Sequence, residues 1–182
     1  MQTNTVSRTL HDVGLALWTG GSAMGAVGVN GAATAAEPQE RLRVAGEGWS
    51  RWMPAHMGAI AAYGVGSLGL TWGNRGRMRA QRGVASLAAA KTVLTAAALA
   101  ADAYAGVLGR RAGQAGDVPV AGATEPTAET PDDVASTLKR LRVVQWVVPA
   151  LTGALVVVSA RMGEQQRPQA VARGFRDRLL RR

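Results

Sequence analysis

The 182-residue chain has no cysteine, which excludes a disulfide framework, a thiolate metal site and a thiol nucleophile. It has two histidines, His11 and His56, too few for an imidazole-rich metal centre. No metal or other cofactor is expected. Aromatic residues make up only 4% of the chain, so its apolar 47% is carried largely by alanine, alongside 23 glycines. There is no P-loop and no G-x-S-x-G, and nothing points to a soluble enzyme. Gly64-x-Gly66-x-x-Gly69 matches a dinucleotide fingerprint in spacing, but it sits inside an apolar run rather than after a strand. Acidic residues are few, 12 against 21 basic ones. The resulting +9 charge could serve nucleic acid. Its bases cluster beside apolar stretches, however, which favours a membrane surface.

What is present is a set of long apolar runs. Mean hydropathy over the whole chain is +0.02, because polar segments dilute those runs. Residues 11–31, HDVGLALWTGGSAMGAVGVNG, are long enough to cross a bilayer. Within them His11, Gly14, Trp18, Gly21, Gly25 and Gly28 recur at steps of three and four, so they share one helix stripe. Glycines on such a stripe let a second backbone approach closely. Gly14, Trp18, Gly21, Gly25 and Gly28 are therefore read as a helix-packing seam, with Trp18 filling space rather than holding a cofactor. Ala33-Thr34-Ala35 offers a signal-peptidase site, but Asp12 and the glycines fit a signal sequence poorly.

The spacing predicts an all-α integral membrane bundle, one domain over residues 1–182. Its four transmembrane helices fall at about 9–31, 53–73, 83–108 and 143–160. Residues 37–51 read as a short amphipathic surface helix, with Pro38 in its first turn and Leu42, Ala45, Trp49 and Trp52 on one face suited to headgroups. Gly58, Ala62 and Gly66 form a small-residue face expected to meet the first helix. Residues 74–82, NRGRMRAQR, read as a short arginine-rich loop, and residues 109–130 as a mobile, acidic, extracytoplasmic loop. Thr130-Pro131-Asp132-Asp133 carries helix-start chemistry, leading without a break into the fourth span, where Pro149 should introduce a kink. Residues 161–182 form a basic cytoplasmic tail in which Val171, Phe175 and Leu179 recur every four positions, as in a helix lying on a membrane.

Placing both termini in the cytoplasm puts twelve Arg and Lys residues inside and eight outside, the arrangement that positive-inside bias favours. Five ionisable residues then fall within spans: His11, Asp12, His56, Lys91 and Asp102. Helical rise places His11, Asp12 and Lys91 near the inner boundary and pairs His56 with Asp102 near the outer one. They could orient the helices, or they could handle protons. The histidines lie at opposite faces and cannot grip one haem iron within a subunit.

His11-Asp12-Val13-Gly14, Trp18-x-Gly20-Gly21, Met24-Gly25 and the Thr124-Glu125-Pro126 and Glu129-Thr130-Pro131 loop resemble a group of uncharacterised small four-helix integral membrane proteins of high-GC actinobacteria. That resemblance implies a bacterial plasma membrane location and carries no assigned activity. The expected role is non-enzymatic: a structural or accessory subunit packing through glycine-rich faces, in a homo-oligomer or larger membrane complex. The arginine-rich loop and tail would contact anionic lipid headgroups. The alternative is a small transporter-like or proton-handling protein using the His, Asp and Lys residues named above.

Overall fold

The computed structural model describes residues 4–80 and 82–164, with side chains at 4–73 and 86–163. The tail positions Val171, Phe175 and Leu179, and Gln81, lie outside the described residues. The fold is mostly helical. Helix α1 (Thr5–Met24) runs into a π-helical turn (Gly25–Val29), then resumes over Asn30–Ala32 and ends in a 3-10 turn (Ala33–Ala35). Helices α2 (Arg41–Ala80), α3 (Arg82–Gly113) and α4 (Asp132–Glu164) follow. Between α3 and α4 a two-stranded antiparallel ribbon pairs β1 (Val120–Gly122) with β2 (Glu125–Pro126).

Around the bundle the neighbours run α2, α1, α4, α3. Among the described residues the α1–α2 and α3–α4 contacts are extensive, while the α2–α3 contact that closes the ring is the sparsest of the four. The core lies at the centre: Leu15, Trp18, Ala59, Tyr63, Ala98, Val148 and Leu155.

The glycine stripe faces α2. A methyl group added at Gly14 would lie 2.6 Å from the Ala59 carbonyl and press on the Tyr63 amide. Gly21 and Gly25 are covered by the rings of Trp52 and Trp49. Gly28 departs from the seam, since a methyl there meets only Met24 of its own helix. The reason is the π turn, in which the Asn30 amide bonds the Gly25 carbonyl five residues back. The extra residue shifts the register, so that Val29 rather than Gly28 meets α2, against Gly48. On α2 the contact face also differs from the expected Gly58, Ala62 and Gly66. Gly66 does meet α1, within reach of the Ser7 carbonyl and the His11 amide. Gly58 touches nothing, and Ala59 and Tyr63 take the other positions. Gly66 and Gly69 of the apparent fingerprint thus lie inside a helix and pack on Ser7 and His11.

Three further expectations are corrected. The surface helix at 37–51 is not separate. It begins at Arg41 and is continuous with the second apolar run through Pro54, because Trp49 and Trp52 pack into the glycines of α1 instead of lying among headgroups. The arginine-rich stretch is helical through Ala80 rather than a loop. The acidic segment is ordered. Helix α3 extends to Gly113, and the chain then turns at Gly116, whose φ of 77° suits glycine. Val120 is fully buried against Leu42, Ala112 and Leu138. The Arg41 guanidinium donates to the carbonyls of Ala36, Val120 and Ala121 at 2.8–3.0 Å. Helix α4 starts at the expected place with Asp132 and Asp133 in its first turn. The Thr130 hydroxyl, however, donates to the Pro119 carbonyl at 2.7 Å and accepts from the Thr127 amide, so it ties the loop together.

Two helices are long and apolar enough to cross a membrane: Ser86–Gly113 in α3 and Asp132–Gly163 in α4, with best-window mean hydropathies of 1.4 and 1.9. Among the described residues α1 and α2 do not reach that standard, because Arg8, His11 and Asp12 fall within α1, and Gly, Ser and Thr with His56 dilute the apolar run of α2.

Candidate functional site: two polar layers

One polar layer, termed inner for its position toward the N-terminal end of α1, joins three helices. His11, 2% exposed, is held where Gly66 lets α2 approach the α1 backbone. Its Nδ1 lies 2.6 Å from Asp12 Oδ1, and its Nε2 lies 2.6 Å from Lys91 Nζ. A lysine ammonium can only donate, so Nε2 accepts and Nδ1–H donates to Asp12. Lys91 thus reaches across the bundle from α3 to α1. On the way its ammonium passes 5.6 Å from the centre of the Tyr63 ring, a cation–π distance. Tyr63 is packed between His11 and Trp18, at ring-centre distances of 5.0 and 5.7 Å, and its hydroxyl meets Thr95 Oγ1 at 2.8 Å. Asp12 faces outward, with 59% of its side chain exposed.

The outer layer holds His56 against Asp102, with Nε2 at 3.0 and 2.9 Å from the two carboxylate oxygens. A second chain of bonds lies nearby. Trp49 Nε1–H donates to Asn30 Oδ1 at 2.9 Å, Asn30 Nδ2 donates to Gln145 Oε1 at 2.8 Å, and Gln145 Nε2 donates to Thr124 Oγ1 at 3.3 Å. These bonds connect α1, α2, α4 and the β1–β2 connection. The structure therefore brings His11, Asp12 and Lys91 together, and His56 with Asp102, but places the two groups in separate layers. Tyr63, Thr95, Asn30 and Gln145 were not singled out from the sequence. The available signal for Gln145 was its standing as the lone amide in an otherwise apolar run.

A cavity of about 790 Å³ opens beside the outer layer, on the loosely closed α2–α3 side. Met53, Met57 and Ile60 form one wall and Leu99, Ala103 and Val107 the other, with His56 and Asp102 bordering it.

Comparison with protein-family models, with curated proteins and with solved structures gives no match.

The chemistry open to these layers is accordingly read from their own atoms. Among the described residues no group of three or more His, Asp or Glu could hold a metal ion. The inner layer is a continuous donor–acceptor chain from Lys91 through His11 to Asp12. The outer pair is a histidine–carboxylate contact. Either can cross-link helices through charge-assisted hydrogen bonds, and either can carry a proton over one contact.

Proposed function

We propose that this is a four-span integral membrane protein of a bacterial plasma membrane, with both termini cytoplasmic, acting as a non-enzymatic and non-conducting accessory subunit. The apolar windows of α3 and α4 are only 11% and 17% buried within the chain, unlike the core helices of a soluble protein. Helices α1 and α2 also expose apolar side chains, Val13 and Leu17 on the first and Val65 and Leu68 on the second. Trp72 and Trp146 are exposed near opposite ends of the bundle, as interfacial tryptophans are. Such a plan also agrees with the resemblance to actinobacterial four-helix membrane proteins. Gly14, Gly21, Gly25 and Gly66 are already covered by helices of the same chain. A partner or second copy would then meet the alanine-rich outer face of α3, while the arginines near residues 75–82 and in the tail would meet anionic headgroups.

One observation carries the non-conducting assignment. Lys91 and Asp102 are separated by eleven residues, roughly 16 Å along α3. Between them Ala59, Ala98 and Val148 are all at most 3% exposed and pack with Leu15 and Trp18. The Tyr63–Thr95 hydrogen bond lies one turn beyond Lys91, so the apolar gap is the stretch from Thr95 to Asp102, roughly 10 Å, and a proton path would need hydrogen-bonding groups across it. The competing reading, proton handling, draws on the continuous Lys91–His11–Asp12 chain. The test is proton flux into liposomes loaded with a pH-sensitive dye, under an imposed potassium diffusion potential. Flux should equal that of protein-free liposomes. A flux that falls in Lys91→Met or Asp102→Asn would overturn the assignment.

A further inference from the structure

The α2–α3 cavity has the size of a small-molecule site, which typically spans about 300–1,000 Å³. Its walls are mainly apolar, with Met53 and Met57 on one side, and methionine adapts readily to irregular hydrocarbon. Its polar part is unusual. The imidazole Nδ1 of His56 and the hydroxyl of Ser22 are buried without a hydrogen-bond partner, and both residues border the cavity. These side chains are 4% and 5% exposed, so neither is compensated by bulk water. Asp102, also on the cavity wall, has both oxygens on His56 Nε2 and still carries free lone pairs. A π-helical turn, a feature frequent at functional sites, ends at the cavity-lining Asn30.

We propose that this cavity binds a neutral, hydroxyl-bearing lipid, its hydroxyl donating to Asp102 and its hydrocarbon lying along Met53, Met57 and Leu99 before leaving sideways into the bilayer. The head chemistry follows from the wall. A carboxylate or phosphate head would be set against the Asp102 carboxylate with little water to screen them. An ammonium head would bring a charge and three donors into a mainly apolar wall, where the spare lone pairs of Asp102 cannot satisfy them all. A hydroxyl uses a spare lone pair of Asp102 and leaves the His56 contact in place. Entry is lateral, on the side where the described parts of α2 and α3 touch little.

The inference rests on the membrane reading for the route of entry. Its test uses purified protein in detergent, where topology plays no part, so the two can fail separately. Three photoactivatable diazirine probes of equal chain length are compared: hexadecanol, hexadecanoic acid and hexadecylamine. The alcohol should label peptides carrying Met53, Met57 or Leu99, saturably, and on the order of ten-fold more than the acid or amine. Ala103→Trp fills the cavity from an exposed position and should abolish that labelling. Gly106→Phe, at a cavity-lining position where an added Cβ meets only the tip of Arg110, is an independent block. Equal labelling by all three probes would overturn the head-group assignment. Labelling spread over outward residues such as Val93 and Val156, and unchanged by both blocking variants, would overturn the site itself.

Discussion

Glycine-to-alanine substitution along α1 gives a sharp measure of how closely α1 and α2 approach. A methyl group at Gly14 would stand 2.6 Å from the Ala59 carbonyl and press on the Tyr63 amide, both backbone atoms. Van der Waals contact requires roughly 1 Å more. No rotamer change relieves this, so the helices must separate. At Gly20, on the same helix, an added methyl meets nothing within 4 Å. Alanine raises helix propensity by about 1 kcal/mol over glycine at either position, and that gain cancels in the comparison. The difference between the two variants therefore isolates the packing. Overpacking of this kind typically costs about 1–3 kcal/mol. For a chain of this size, that corresponds to a melting temperature roughly 3–10 °C lower for Gly14→Ala than for Gly20→Ala. Burial in lipid gives no compensating drive, since apolar side chains are as well accommodated by acyl chains as by a helix. Intrinsic tryptophan fluorescence during heating in detergent reads the difference, because Trp18 and Trp52 lie at this contact. Equal melting of the two variants would show that Gly14 does not meet α2 and would refute the seam.

Two further outcomes are expected. Gln145→Leu should destabilise the protein by about 0.5–1.5 kcal/mol, because the half-buried Asn30 amide loses its acceptor. Asn30→Leu combined with Gln145→Leu should cost less than the two single changes added together, which a thermal-melt double-mutant cycle would detect. For topology, single cysteines can be introduced into this cysteine-free chain at Thr5, Gly46 and Ala128, all exposed. An impermeant thiol reagent applied to intact cells should label Gly46→Cys and Ala128→Cys but not Thr5→Cys; the reverse pattern would invert the orientation.

Periodicity and helical rise, both local properties, were legible without a structure. The three-and-four spacing from His11 to Gly25 showed which residues of α1 share a face, since 3.6 residues per turn leaves little choice. Rise per residue placed Lys91 and Asp102 at different depths of one helix, and the juxtaposition of His56 with Asp102 followed from antiparallel neighbours. The acids after Pro131 marked the start of α4 through the helix dipole. What meets each face was decided elsewhere. Trp49 and Trp52 have the amphipathic character of headgroup residues, yet the glycines at 21 and 25 leave grooves of the right depth, so residues 41–53 join α2 instead of lying flat. The π turn moved the seam from Gly28 to Val29, a one-residue shift invisible to a regular period. Residues 114–131 have the composition of a mobile loop. Their order comes from Arg41 and Leu42, some eighty positions earlier in the chain, satisfying the carbonyls and apolar surface around Val120. Only tertiary structure could also set α2 and α3 apart and leave a cavity beside His56, because a gap belongs to the packing of several helices and to no single stretch of sequence.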